Sequence, residues 1–149
     1  MYLFIDTSNA EYIFLSLLNK QGKILVFKKI KAPYQQSEKL LTEIEKIVKT
    51  GPASPAGKRD WSQLKGIIVI IGPGGFTSLR IGVATANAMA WALQIPIVGV
   101  KNDKNLSAEN LIQEGYKKIF KLKKFKQVLP VYGQEPNITN REIKKKNFA

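Results

Sequence analysis

The segment richest in chemical potential is Gly72-Pro73-Gly74-Gly75-Phe76-Thr77-Ser78-Leu79-Arg80, placed where a β-branched apolar run hands over to a helical pattern. Glycines let backbone N–H groups approach an anion, and a following helix adds the positive end of its dipole, so a phosphate or carboxylate fits. Asp6-Thr7-Ser8 closes the first apolar run with a carboxylate and two hydroxyls that could face a metal-bound phosphate. Each feature also has a structural reading. The glycines make a tight turn with Thr77 or Ser78 as helix N-cap, and Asp6 makes an Asx turn at a strand end. A Walker loop is excluded, since no Gly-Lys-Ser/Thr follows, and the dinucleotide fingerprint would need glycine where Thr77 stands. The chain contains no His and no Cys, which removes Ser-His-Asp triads, Cys-His dyads, imidazole bases, thiolate metal sites and disulfides.

These residues need elements to hold them. Tyr2–Ile5 and Glu11–Leu18 read as strands joined by a polar turn, and Lys23–Ile30 as a third strand after the Asn19-Lys20-Gln21-Gly22 turn. From Ser37 the period becomes helical: Leu40, Leu41, Ile44, Ile47 and Val48 share one side, with Lys39/Glu43 and Glu45/Lys49 as i,i+4 pairs on the other. Gly51–Asp60 reads as a surface loop. Gly66–Ile71 and Ile95–Val100 read as buried parallel strands flanking a helix over Ser78–Leu93, a βαβ unit. That helix is apolar almost all round and must be covered twice. Its small residues Gly82, Ala86 and Ala90 permit close approach of another helix, supplied in part by residues 37–50 and otherwise by a partner chain or by a tail helix near Leu106–Ile119. Beyond Lys117–Lys126, the stretches Leu129–Tyr132 and Glu135–Thr139 look extended, and Lys144–Asn147 looks like a frayed end.

The 149 residues fit one domain with a real core. Net charge is +13, about +6 over residues 1–100 and +7 over the last 49, a balance that favours polyanionic company such as nucleic acid. The N-terminus lacks a basic segment followed by a long apolar one, and no stretch reaches the roughly 20 apolar residues of a membrane span, so the expectation is a cytoplasmic protein without membrane contact.

Four stretches carry a family resemblance: Phe4-Ile5-Asp6-Thr7-Ser8; Ser37-Glu38-Lys39-Leu40-Leu41; Gly72–Gly82; and Ile95-Pro96-Ile97-Val98-Gly99-Val100. Together they resemble the TsaB (YeaZ) family, a branch of the actin-like (ASKHA) superfamily related to the tRNA threonylcarbamoyl transferase TsaD. Gly75 and Ser78 stand where the family usually has Ser and Gly, and Gln36 where it usually has His. The resemblance implies an α/β, actin-like (RNase H-like) lobe over residues 1–100 with a mixed sheet of about five strands and two main helices. On the same resemblance the second lobe is expected to be largely missing, with residues 101–149 a reduced tail packed on the first.

The function so implied is that of a non-catalytic accessory subunit, which binds a TsaD-like transferase and supports threonylcarbamoyl transfer to the tRNA adenine beside the anticodon. The implied interface residues are Leu40, Leu41, Ile44, Arg80, Gly82, Val83, Ala86, Asn87 and Ala90; the phosphate-loop-like set is Asp6, Thr7, Ser8, Gly72, Gly74, Gly75 and Thr77. No cofactor or metal is required by the chain itself, although ATP or ADP with Mg fits an interface with the partner. A TsaE-like ATPase belongs to the same complex, tRNA is met mainly through the complex, and the chain alone could form a homodimer. Two alternatives stand beside this reading. One is a small phosphate-handling hydrolase using Asp6 and the Gly72–Thr77 loop. The other is a stand-alone tRNA-binding module whose Lys117–Lys126 run, with Lys121, Lys123, Lys124 and Lys126, grips phosphates.

Overall fold

The computed structural model describes residues 1–50 and 60–132, with the backbone alone at Thr50. Most of the Gly51–Asp60 loop, together with Glu135–Thr139 and Lys144–Asn147, lies outside the described residues. The chain opens with β1 (Tyr2–Asp6), β2 (Tyr12–Leu18) and β3 (Ile24–Lys31), an antiparallel meander. Its turns are built by asparagines. Asn9 Oδ1 accepts from the N–H groups of Glu11 and Tyr12, and Asn19 Oδ1 from those of Gln21 and Lys23, which gives the turn backbone the partners a strand cannot supply.

Next come α1 (Gln36–Thr50), a short 3₁₀ turn (Trp61–Gln63), β4 (Gly66–Gly72), α2 (Phe76–Leu93), β5 (Ile97–Lys101) and α3 (Ala108–Ile119). The five strands form one mixed sheet in the order β3-β2-β1-β4-β5, parallel across β1, β4 and β5. The expected five strands and two main helices are present, and the hint of a helix after Leu106 is realised as α3, capped by the Ser107 side chain. On α1 the ion pairs run Lys46 to Glu43 and Lys49 to Glu45, while Lys39 turns away to the Lys31 carbonyl oxygen at 3.2 Å.

Side chains alternate across the sheet and so build two separate cores. Leu3, Ile5, Ile13, Leu15, Leu17, Ile67, Val69 and Ile97 face α1 and α2. Phe4, Leu18, Ile68, Ile70, Val98 and Val100 face α3, which brings Leu111, Ile112 and Ile119. The tail helix therefore lies across the sheet from α2 and cannot be its missing cover. Part of that cover comes from α1 and part from the segment 125–132, whose Phe125 and Val128 pack against the α1/α2 core. That segment is fixed at two points. Asn87 donates from Nδ2 to the Val128 carbonyl oxygen (2.8 Å) and accepts at Oδ1 from the Val128 N–H (3.0 Å). Further on, the Val131 N–H reaches the Ile71 carbonyl oxygen at 2.6 Å.

Candidate functional site

The tip of β1 and the loop between β4 and α2 meet at the carboxyl ends of the parallel strands, the usual ligand side of such a sheet. Asp6 is only 8% exposed, and its Oδ1 accepts both the N–H (2.8 Å) and the hydroxyl (2.6 Å) of Ser8. Burial raises its carboxyl above the ordinary value, against the lowering effect of these two bonds. Thr7 is fully buried and donates its hydroxyl to the Ser78 carbonyl oxygen at 2.6 Å, tying β1 to the first turn of α2. This tie needs Gly82: a Cβ there would sit 2.0 Å from Thr7 Oγ1.

The glycine loop closes on the same hairpin. The Gly75 N–H donates to the Ser8 carbonyl oxygen at 3.0 Å, and Gly74 lies against Ser8. Gly72 has φ 140°, a conformation L side chains rarely adopt, and a Cβ there would meet the Val131 carbonyl oxygen at 1.9 Å. Thus the tail packs against the back of the loop while the hairpin packs against its front. Helix α2 begins at Phe76 with Gly75 as N-cap and no side-chain cap; the Ser78 hydroxyl instead donates back to the Gly75 carbonyl oxygen at 3.1 Å. Neither Thr77 nor Ser78 takes the capping position. Of the predicted phosphate-facing set, the structure brings all seven residues together, with Thr77 exposed and Thr7 and Gly72 buried.

Beside this loop a cleft of about 410 Å³ is lined by Ala10, Tyr34, Gln36, Ser37, Phe76, Thr77 and Ile81 among others. It separates the first turns of α1 and α2. Gln36 is buried and donates from Nε2 to the Asn9 carbonyl oxygen at 2.6 Å, so it anchors α1 to the β1–β2 turn.

The predicted interface residues divide by face. Gly82, Val83, Ala86 and Ala90 of α2 are buried on their own sheet, as are Leu40 and Ile44 of α1. The small-residue stripe faces inward, onto the sheet and onto α1, the part of its cover expected from residues 37–50. Asn87 is taken up by the tail, and Arg80 is exposed with its guanidinium 5.3 Å from the Phe76 ring centre. Leu41 is 54% exposed. The outward side of α2 carries residues the sequence reading missed: Thr77, Ala84, Ala88 and Trp91 are exposed and Ile81 is half-buried. They recur at helical spacing just as the buried stripe does, so spacing alone could not say which stripe faces out. Lys121, Lys123, Lys124 and Lys126 are all exposed, while Phe125 between them turns inward.

Among the described residues no cluster of three acidic, His or Cys side chains could hold a metal ion, and no helix is long and apolar enough to cross a membrane.

The sheet order, the paired loops at β1 and β4, and the helices on both faces define an actin-like α/β lobe. A family model described as TsaD, tRNA N6-adenosine threonylcarbamoyltransferase, matches residues 32–122. The tRNA threonylcarbamoyladenosine biosynthesis protein TsaB of Bacillus subtilis (strain 168) is 47% identical over 45 residues, which cover 30% of this chain and 20% of that protein. Among solved structures, YeaZ from Pseudomonas aeruginosa superposes with a TM-score of 0.57 at 26% identity, over 67% of this chain and 43% of that one. A second structure, described as an uncharacterized protein with similarity to peptidase YeaZ from Pseudomonas aeruginosa, gives 0.57 and 26% over 67% and 42%. The chain belongs to the TsaD-type family and, within it, to the TsaB (YeaZ) branch. It spans less than half the length of these relatives.

Proposed function

We propose that the chain is a non-catalytic accessory subunit of tRNA threonylcarbamoyladenosine synthesis, docking on a TsaD-like transferase in a complex that also holds a TsaE-like ATPase. The observation that carries this reading is the outward stripe of α2. Ala84 and Ala88 give a flat helical surface, bordered by Phe76 (41% exposed) and Trp91 (64%), and Leu41 adds its apolar side chain from α1. Small side chains let a second helix approach closely, while large exposed rings at the border supply anchoring area. The absence of His and Cys, and the engagement of Asp6 by Ser8, support a role without its own chemistry. Transfer would then be carried out by the partner, with tRNA held mainly by the complex in the cytoplasm and any ATP or ADP with Mg bound where the two proteins meet. Co-purification with the transferase of the same organism tests the docking. Ala84→Arg should abolish the complex and leave the chain folded; a complex that survives this change, and Ala88→Arg as well, would remove α2 from the interface.

A further inference from the structure

Three aromatic rings lie on the α3 side of the sheet yet belong to neither core. Tyr12 and Phe14 of β2 stand with Phe27 of β3 in a row, with ring centres 6.4 Å and then 6.2 Å apart. None of the three joins either hydrophobic cluster, because α3 packs over β4 and β5 and reaches β2 and β3 only at their Leu18/Ile24 end, beside the turn that joins them. Phe27 is 44% exposed. In the β2–β3 register Lys29 stands opposite Phe14 and Lys31 opposite Tyr12, so two exposed ammonium groups share this face with the rings. The Lys29 ammonium lies 4.2 Å from the Tyr12 ring centre and 5.8 Å from that of Phe14. Neither lysine has an ion pair among the described residues. The nearest carboxylate in the register, Asp6 opposite Phe14, is buried and bound by Ser8.

We propose that this open face of β2 and β3 is a platform for single-stranded RNA, with bases stacking on Phe27 and its neighbouring rings and phosphates meeting Lys29 and Lys31. Flat rings interleaved with cations that have no carboxylate partner among the described residues match the two faces of an unpaired nucleotide, its apolar base and its anionic backbone. An acidic peptide would use the lysines and leave the row of rings without a role. A second copy of the chain is disfavoured by charge, since pairing the β3 edges would bring Lys28, Lys29 and Lys31 against their counterparts. The choice of RNA over DNA rests on the proposed tRNA-modifying assembly; the platform itself does not.

The probe is a fluorescein-labelled, unstructured 12-nucleotide A/U RNA, titrated by anisotropy against the full chain, with a DNA of the same sequence in parallel. Phe27→Ala should weaken RNA binding about tenfold, and Phe27→Leu, which keeps apolar bulk on the strand, should weaken it similarly. Lys29→Gln should lower the slope of log affinity against log salt by about 0.7. The tail pair Lys123→Gln/Lys124→Gln should leave the dependence on Phe27 intact. Binding within about twofold of wild type in both Phe27 variants would overturn the proposal, as would tighter binding of the DNA or equal competition by polyglutamate. Retained co-purification of Phe27→Ala with the transferase separates failure of the platform from failure of the docking reading.

Discussion

Asn87 offers the sharpest test of how this lobe is closed. Replacing it by alanine removes both hydrogen bonds to the Val128 backbone and nothing from the core, because the side chain is half-buried between α2 and the tail. Each such bond is worth about 1 kcal/mol net, so the segment 125–132 should lose about 2 kcal/mol of local stability. The Val128 amide would exchange faster in any case, having lost its acceptor. The informative amide is Val131, whose acceptor on Ile71 is untouched. If Asn87 holds the segment as one unit, the Val131 amide should also exchange roughly 5- to 30-fold faster in the variant. Asn87→Asp should not restore the clamp: it keeps the acceptor for the Val128 N–H but sets a carboxylate oxygen against the Val128 carbonyl oxygen. Acceleration confined to Val128, with Val131 unchanged, would refute the claim that the clamp secures the cover of α2.

Gly82→Ala should destabilise by about 1–3 kcal/mol, although the same change in an open helix interior would stabilise, because the new methyl collides with Thr7 Oγ1. Denaturant unfolding of the single variant and of Thr7→Ala/Gly82→Ala checks this, the pair losing less than the sum of its parts. Asp6→Asn should raise the urea midpoint at pH 7. Burial lifts the folded-state pKa of Asp6 above 3.8, so its favourable contribution is complete below that ordinary value and is lost as pH rises through the raised one. The advantage of the variant should therefore shrink as the pH falls toward 4. Ala86→Arg places a charge in the core and should unfold the chain, whereas the exposed Ala84→Arg should keep its circular dichroism and melting temperature.

Strands and crossover were legible because their patterns differ in kind. The β-branched runs Ile67–Ile71 and Ile97–Val100 have no competing helical period, and the glycine segment between β4 and α2 punctuates them. The orientation of α2 was not legible. With apolar residues all round, Gly82, Ala86 and Ala90 compete on equal terms with Ile81, Ala84 and Ala88 for the inward side. Only the close approach of Thr7, a residue 75 positions earlier, decides which stripe packs on β1. The tail failed for a similar reason. Lys117–Lys126 reads as one basic run with apolar residues interleaved, but it divides after Ile119, with α3 on one side of the sheet and Phe125 packed on the other. Nothing in the local pattern encodes that crossing. Asp6, Thr7 and the glycines were found because loops that hold one another need small and polar residues at the strand ends; their mutual bonds, and the Val131 carbonyl behind Gly72, depend on contacts distant in sequence.

The most direct test of the accessory role is a reconstituted transfer assay, following threonylcarbamoyl incorporation into tRNA by the transferase of the same organism. Incorporation should collapse when this chain is omitted or replaced by Ala84→Arg, and return with the wild-type chain. Full incorporation without the chain would contradict that role.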